Sequence, residues 1–153
     1  MKLFLVLALV MFLVSSCQNQ TNNKPIRTPI EGTWKLLTGT LIEKGDTTVT
    51  DYSSDLSMIK IINATHFSFL NHDLKKGIGS TAVFSAGGGR YTLLGDQYTE
   101  YLEYCSYREW EGNTFPFTLT IAGDTLIQQG IEKIADLGVE RLNIERYIRV
   151  SVP

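Results

Sequence analysis

An all-β domain, closed as a single antiparallel up-and-down β-barrel of eight to ten strands, is predicted for this chain by three observations. From Ile30 onward, short runs in which apolar and polar residues alternate follow one another almost without interruption. Turn chemistry separates the runs, with thirteen glycines supplying the bends. No long amphipathic helix intervenes; only Ile131–Leu137 carries a turn or two of helical pattern. So many consecutive strands must close or stack to hide their edges, and closure into a barrel leads over a two-sheet sandwich.

Taken in order, the chain opens with Lys2 and a charge-free apolar stretch from Leu3 to Val14. That is the length of a signal peptide and falls short of the roughly 20 residues of a membrane-spanning helix. Val14-Ser15-Ser16-Cys17 then sets small residues before a cysteine. This resembles the lipobox of bacterial lipoproteins, which implies removal of residues 1–16 and acylation of Cys17. Each acyl CH₂ buried in a membrane is worth about 0.8 kcal/mol, and two or more chains hold stably. A cell-envelope location, on the outer membrane by analogy because Gln18 follows the cysteine, is the expectation. Residues 17–29 are polar and amide-rich with two prolines, too poor in apolar surface to offset their own ordering, and read as a flexible tether. Residues 30–153 are then the barrel domain.

Strands are expected at Thr33–Leu41, Thr47–Tyr52, Ser57–Ile62, Thr65–Asn71, Thr81–Ser85 and Arg141–Val152. Gly95-Asp96 joins Gly89–Leu94 to Gln97–Cys105, and Gly123-Asp124 joins Phe115–Ile121 to Thr125–Gly130, as tight hairpins. The clearest alternation sets Phe115, Phe117, Leu119 and Ile121 on one face, with Pro116, Thr118 and Thr120 on the other.

Fourteen Lys and Arg against sixteen Asp and Glu leave a net charge of -2, so no long-range field gathers nucleic acid. Cys17 and Cys105 are the two cysteines. With Cys17 acylated, neither a disulfide framework nor a thiolate metal site can be built.

Gly32-Thr33-Trp34 resembles the Gly-x-Trp opening of the lipocalin superfamily. The succession His66–Phe69, Ser85–Leu93, Gly95–Tyr104 and Ile144–Tyr147 is similar in order and spacing to the lipocalin-like domain of small bacterial lipoproteins, over essentially Ile30 to Val150. The resemblance implies an up-and-down barrel that commonly holds a small hydrophobic or amphipathic molecule. It also implies that Trp34 packs against an arginine of the last strand, read as Arg146 among Leu142, Ile144, Ile148 and Val150, closing the barrel floor. Two departures are a lengthened connection over residues 133–140 and Tyr147 at a position often apolar in relatives.

The ligand-cavity candidates are Phe67, Phe69, Tyr91, Tyr98 or Tyr101, Tyr104, Phe115 and Phe117, with Glu100 as an inward carboxylate. A barrel of about eight strands is either filled by side chains or holds one small ligand, and strand patterning leaves that open. Glu100 and Glu103, three apart, point to opposite faces. His66 and His72 are roughly 20 Å apart along a strand, too far for one metal. Gly87-Gly88-Gly89 lacks the sequel of a phosphate loop and reads as a bend or bulge. No catalytic constellation, metal site or cofactor is indicated, and a monomer is expected. The alternative to a ligand carrier is a filled barrel whose rim segments, Asn71–Ser80 and Cys105–Thr114 with Tyr107, Arg108 and Trp110, contact another envelope component.

Overall fold

Alternation of the kind seen in residues 115–121 favours strands that bury one face, and the computed structural model, which describes residues 29–151, contains nine. They are β1 (Gly32–Glu43), β2 (Asp46–Asp51), β3 (Leu56–Ile62), β4 (His66–Asp73), β5 (Phe84–Leu94), β6 (Gln97–Cys105), β7 (Thr114–Ala122), β8 (Thr125–Ile134) and β9 (Val139–Arg149). Each pairs antiparallel with the next, except that the long β1 is shared: Gly32–Lys35 pairs with β3 and Thr38–Glu43 with β2. Pairing of β1 with β9, from Trp34↔Arg149 to Ile42↔Leu142, closes the sheet. With β2 and β3 sharing one stave, the result is an eight-strand antiparallel up-and-down barrel. Closure leaves no long sheet edge exposed, which is the physical reason to prefer it over an open sheet.

The two hairpins lie where the turn residues put them. Gly95 and Gly123 take positive φ values of 63° and 57°, which Gly adopts without steric cost. These turns, with residues 63–65 between β3 and β4, mark one end of the barrel. The opposite end carries the longer connections, including two single 3₁₀ turns at Arg108–Trp110 and Ala135–Leu137.

Three local expectations are corrected. Thr81–Ser85 and Gly89–Leu94 are not separate strands, because Phe84–Leu94 runs unbroken through the glycines as β5. The bend is absorbed instead by a bulge at Gly88/Gly89 opposite Leu102 and Tyr104. A Cβ at Gly89 would run into the carbonyl oxygen of Tyr101, so only glycine lets β5 and β6 approach this closely. Second, Ile131–Ile134 belongs to β8; the helical pattern survives only as the 3₁₀ turn at Ala135–Leu137. Third, residues 133–140 do not lengthen the connection. The ladder continues through Lys133↔Glu140 and Ile134↔Val139, and Gly138 at φ 66° ends the turn.

The closed end holds the apolar core. Trp34, Leu36, Tyr98, Leu126 and Tyr147 are each at most 1 % exposed, and Ile30, Ile62, Phe67 and Leu119 pack with them. Trp34 donates from Nε1 to the Ile30 carbonyl at 2.8 Å, drawing the segment before β1 beneath the barrel. Residues 1–28, which hold the expected signal segment, Cys17 and almost all of the expected tether, lie outside the described residues.

Candidate functional site

Strand parity decides what faces the barrel interior, and it yields an unequal division between the two ends. Above the apolar floor, the inward positions of β3, β6, β8 and β9 become polar: Lys60, Glu100, Gln128 and Glu132, then Arg141, Asn143 and Glu145. Between them lies a cavity of about 430 Å³ that opens at the end carrying Tyr107 and Trp110. At about 30 Å³ per water, that is room for a dozen or so waters or one small organic molecule. Phe69, Phe115, Phe117 and Trp110 supply aromatic wall, and Leu41 and Met58 aliphatic wall.

Lys60 organises the deep part. Its ammonium, 2 % exposed with its residue, donates to Glu100 Oε1 at 2.7 Å and to Gln128 Oε1 at 2.9 Å, and lies 3.7 Å from Glu145 Oε2. It also sits 5.7 Å from the ring centre of Phe67 and 5.5 Å from that of Tyr147. Burial alone would push the lysine toward its neutral form. Glu100 and Glu145 outweigh that and hold its pKa above the ordinary value. For Glu100, burial wins over Lys60 and its pKa is raised. The two directions are compatible because one ammonium is shared between two carboxylates.

The neighbouring aromatic hydroxyls are held neutral. Burial first, then Glu145, raises Tyr147 well above its usual range while its hydroxyl donates to Glu145 Oε2 at 2.8 Å. Tyr98 is likewise raised by burial and then by Glu100; its hydroxyl lies beside Glu100 without a hydrogen bond of ordinary geometry.

Nearer the mouth, Glu132 accepts from Arg141 Nε at 2.7 Å and from Asn143 Nδ2 at 2.9 Å. The Arg141 guanidinium stands 5.1 Å over the Trp110 ring, within cation–π range.

The nine cavity candidates separate into four groups. Phe69, Glu100, Phe115 and Phe117 line the cavity. Phe67 and Tyr98 point inward but pack in the floor beneath it. Tyr91 is at the closed end, its ring 5.3 Å from that of Tyr98 and its hydroxyl donating to the Asn63 carbonyl at 2.8 Å. Tyr101 and Tyr104 are corrections: both face outward, because Glu100 and Leu102 take the inward positions of β6, and Tyr104 is 69 % exposed. Glu103 also lies on the outer side, paired with Arg90 at 2.6 Å, so the opposite facing of Glu100 and Glu103 holds.

The closure pair is corrected by three residues. Arg146 is exposed on the outer face, and Arg149 is the arginine over Trp34, its guanidinium carbon 4.0 Å from the ring centre. Arg149 also donates to the carbonyls of Glu31, at 2.8 Å, and Pro29. Odd-numbered residues of β9 face inward, so Arg146 falls on the wrong face.

Lys60, Gln128, Glu132, Arg141, Asn143 and Glu145 were not singled out by sequence reasoning, although a lysine alternating with Met58 and Ile62 was a readable signal. Cys105 is buried and free. Among the described residues, no group of three or more His, Cys, Asp or Glu is arranged to hold a metal ion. No family model, curated protein or solved structure matches the chain.

Proposed function

We propose that the protein is an envelope-anchored carrier that holds one small amphipathic molecule inside its barrel. The observation that carries this reading is the cavity of about 430 Å³, walled by Phe69, Phe115, Phe117 and Trp110 and holding the polar group around Lys60 in its depth. A core evolved only for packing would fill such a space, because voids cost stability roughly in proportion to their volume. Apolar wall with a few convergent polar groups is what a ligand site needs: area for affinity and polar atoms for orientation. The lipobox-like Val14-Ser15-Ser16-Cys17 and the lipocalin-like succession support the anchor and the class of cargo by resemblance.

A thermal-shift screen of amphipathic small molecules on the full chain tests the reading. A molecule selective for the native state and present at about 100 times its Kd stabilises by about 2.7 kcal/mol. Ser85→Phe, which places a ring into the cavity, is expected to abolish that stabilisation while leaving the fold intact. Cys17→Ser is expected to release the protein from membranes. Stabilisation that survives Ser85→Phe places the ligand elsewhere.

A second reading, a module that contacts another envelope protein, is favoured by apolar side chains left in solvent towards the open end: Ile78 at 74 %, Phe84 at 69 % and Tyr107 at 51 % exposure. Capture of one stoichiometric envelope protein, lost on Phe84→Ser but unaffected by Ser85→Phe, is the outcome that supports it.

A further inference from the structure

The charged groups lining the cavity do not balance. Glu100, Glu132 and Glu145 are carboxylates, and Lys60 and Arg141 are the cations. Arg141 is committed to Glu132 at 2.7 Å, so Lys60 alone serves both Glu100 and Glu145. By formal charge one carboxylate is therefore in excess, in an environment where uncompensated charge is costly and where burial already raises the Glu100 pKa.

Among the described residues, the buried side-chain atoms without a hydrogen bond are Asn71 Oδ1, an acceptor, and the Tyr98 hydroxyl, which lies in the floor beside Glu100; the acceptors that face the cavity itself carry the same sign as the surplus. Asn143, whose residue is 7 % exposed, must turn Nδ2 to Glu132 because a carboxylate only accepts; its Oδ1 is thereby left as an acceptor with no described donor. Glu145 takes the Tyr147 hydroxyl on Oε2, leaving Oε1. Both residues face inward two positions apart on β9 and line the cavity. Across the cavity, Asn71 Oδ1 is buried and lacks a hydrogen bond.

The deep donor is already used. Lys60 is occupied by Glu100 and Gln128. Arg141 pairs through Nε with Glu132 and keeps its Nη donors, but it stands nearer the mouth and not at the base. An anionic head at the base of the cavity would meet Glu145 and Glu100 with no free cation beside them.

We infer that the ligand is an amphipathic amine whose ammonium seats against Glu145 and Asn143, with its apolar body along Phe69, Phe115 and Trp110. An ammonium brings three donors and one positive charge, which are what the empty acceptors and the surplus carboxylate call for. This inference rests on the carrier reading above.

Calorimetric titration of the full chain with phenylbutylamine, phenylbutanol and phenylbutyric acid, which share one body and differ in the head, separates the two. The amine is expected to bind at least tenfold tighter than the alcohol, and the acid more weakly than either. Glu145→Gln keeps an acceptor for Tyr147 but removes the charge. It is expected to lower amine affinity at least tenfold and leave alcohol affinity within about twofold, with an unchanged far-ultraviolet spectrum. Asn143→Leu is a second variant, expected to weaken the amine without altering charge. Alcohol or acid binding as tight as the amine, or amine binding indifferent to both variants, overturns the amine assignment alone. Absence of binding by all three overturns it together with a carrier role for this cavity.

Discussion

Lys60→Met is expected to destabilise the fold by about 3–5 kcal/mol, the loss typical when one partner of a buried ion pair is removed and the other is stranded. Glu100, whose side chain is 9 % exposed, would lose its closest cation, and Glu145 its shared one. The methionine fills similar volume, so packing is not the main term.

The pH dependence distinguishes charge from packing. Glu100 already has a raised pKa in the folded protein, chiefly from burial. The native state therefore keeps a proton that the unfolded chain has released above about pH 4.3, and stability falls as pH rises through that window. Without Lys60 the native pKa rises further, so the deficit of the variant is largest at neutral pH and shrinks as pH is lowered toward about 4–5. The double variant Lys60→Met with Glu100→Gln is expected to recover about 1–3 kcal/mol. Urea unfolding of the four proteins of this cycle, at neutral and mildly acidic pH, measures both effects; a deficit independent of pH would mean that Lys60 acts as a spacer.

Trp34→Ala is expected to cost a similar amount, about 3–5 kcal/mol, because a fully enclosed indole leaves a void that its neighbours cannot collapse into. The loss would extend beyond packing. Trp34 is the Cα partner of Arg149 across the β1–β9 seam, so its ring stacks on the cation that also ties down the carbonyls of Glu31 and Pro29. Arg149→Ala is accordingly expected to cost about 2 kcal/mol, in the range of charge-assisted hydrogen bonds, partly screened because Arg149 is half-buried. Arg146→Ala, on the exposed face, should change stability by no more than about 0.5 kcal/mol. Denaturant midpoints rank the three variants. Equal effects of Arg146 and Arg149 would contradict the register of β9.

That register explains where the sequence was legible and where it was not. β7 and its hairpin with β8 could be read because Phe115, Phe117 and Leu119 meet the floor and lower wall, where the interior is apolar and alternation reports burial directly. The turns at Gly95 and Gly123 were equally plain, since their chemistry is local.

β9 reads inside out. Leu142, Ile144 and Ile148 are on the outer wall, while Arg141, Asn143 and Glu145 point into the cavity. Hydrophobic-inward logic presumes a dry core, and it fails where the inside is polar; the misplaced Arg146 follows from that presumption. In β6, Tyr98 and Tyr101 offered two parities of equal appeal. Only the bulge opposite Gly88/Gly89 and the pairing of Glu100 with Lys60 through forty residues of chain decide between them. Such long-range pairing leaves no periodic trace.

Native mass spectrometry of the full chain, isolated from cells that produce it and compared with Ser85→Phe, is the most direct test of a hollow, occupied barrel. The wild-type protein should carry a non-covalent mass of one small organic molecule that is lost on unfolding and missing from the variant. Identical bare masses for both proteins, beyond any covalent acyl chains, would contradict it.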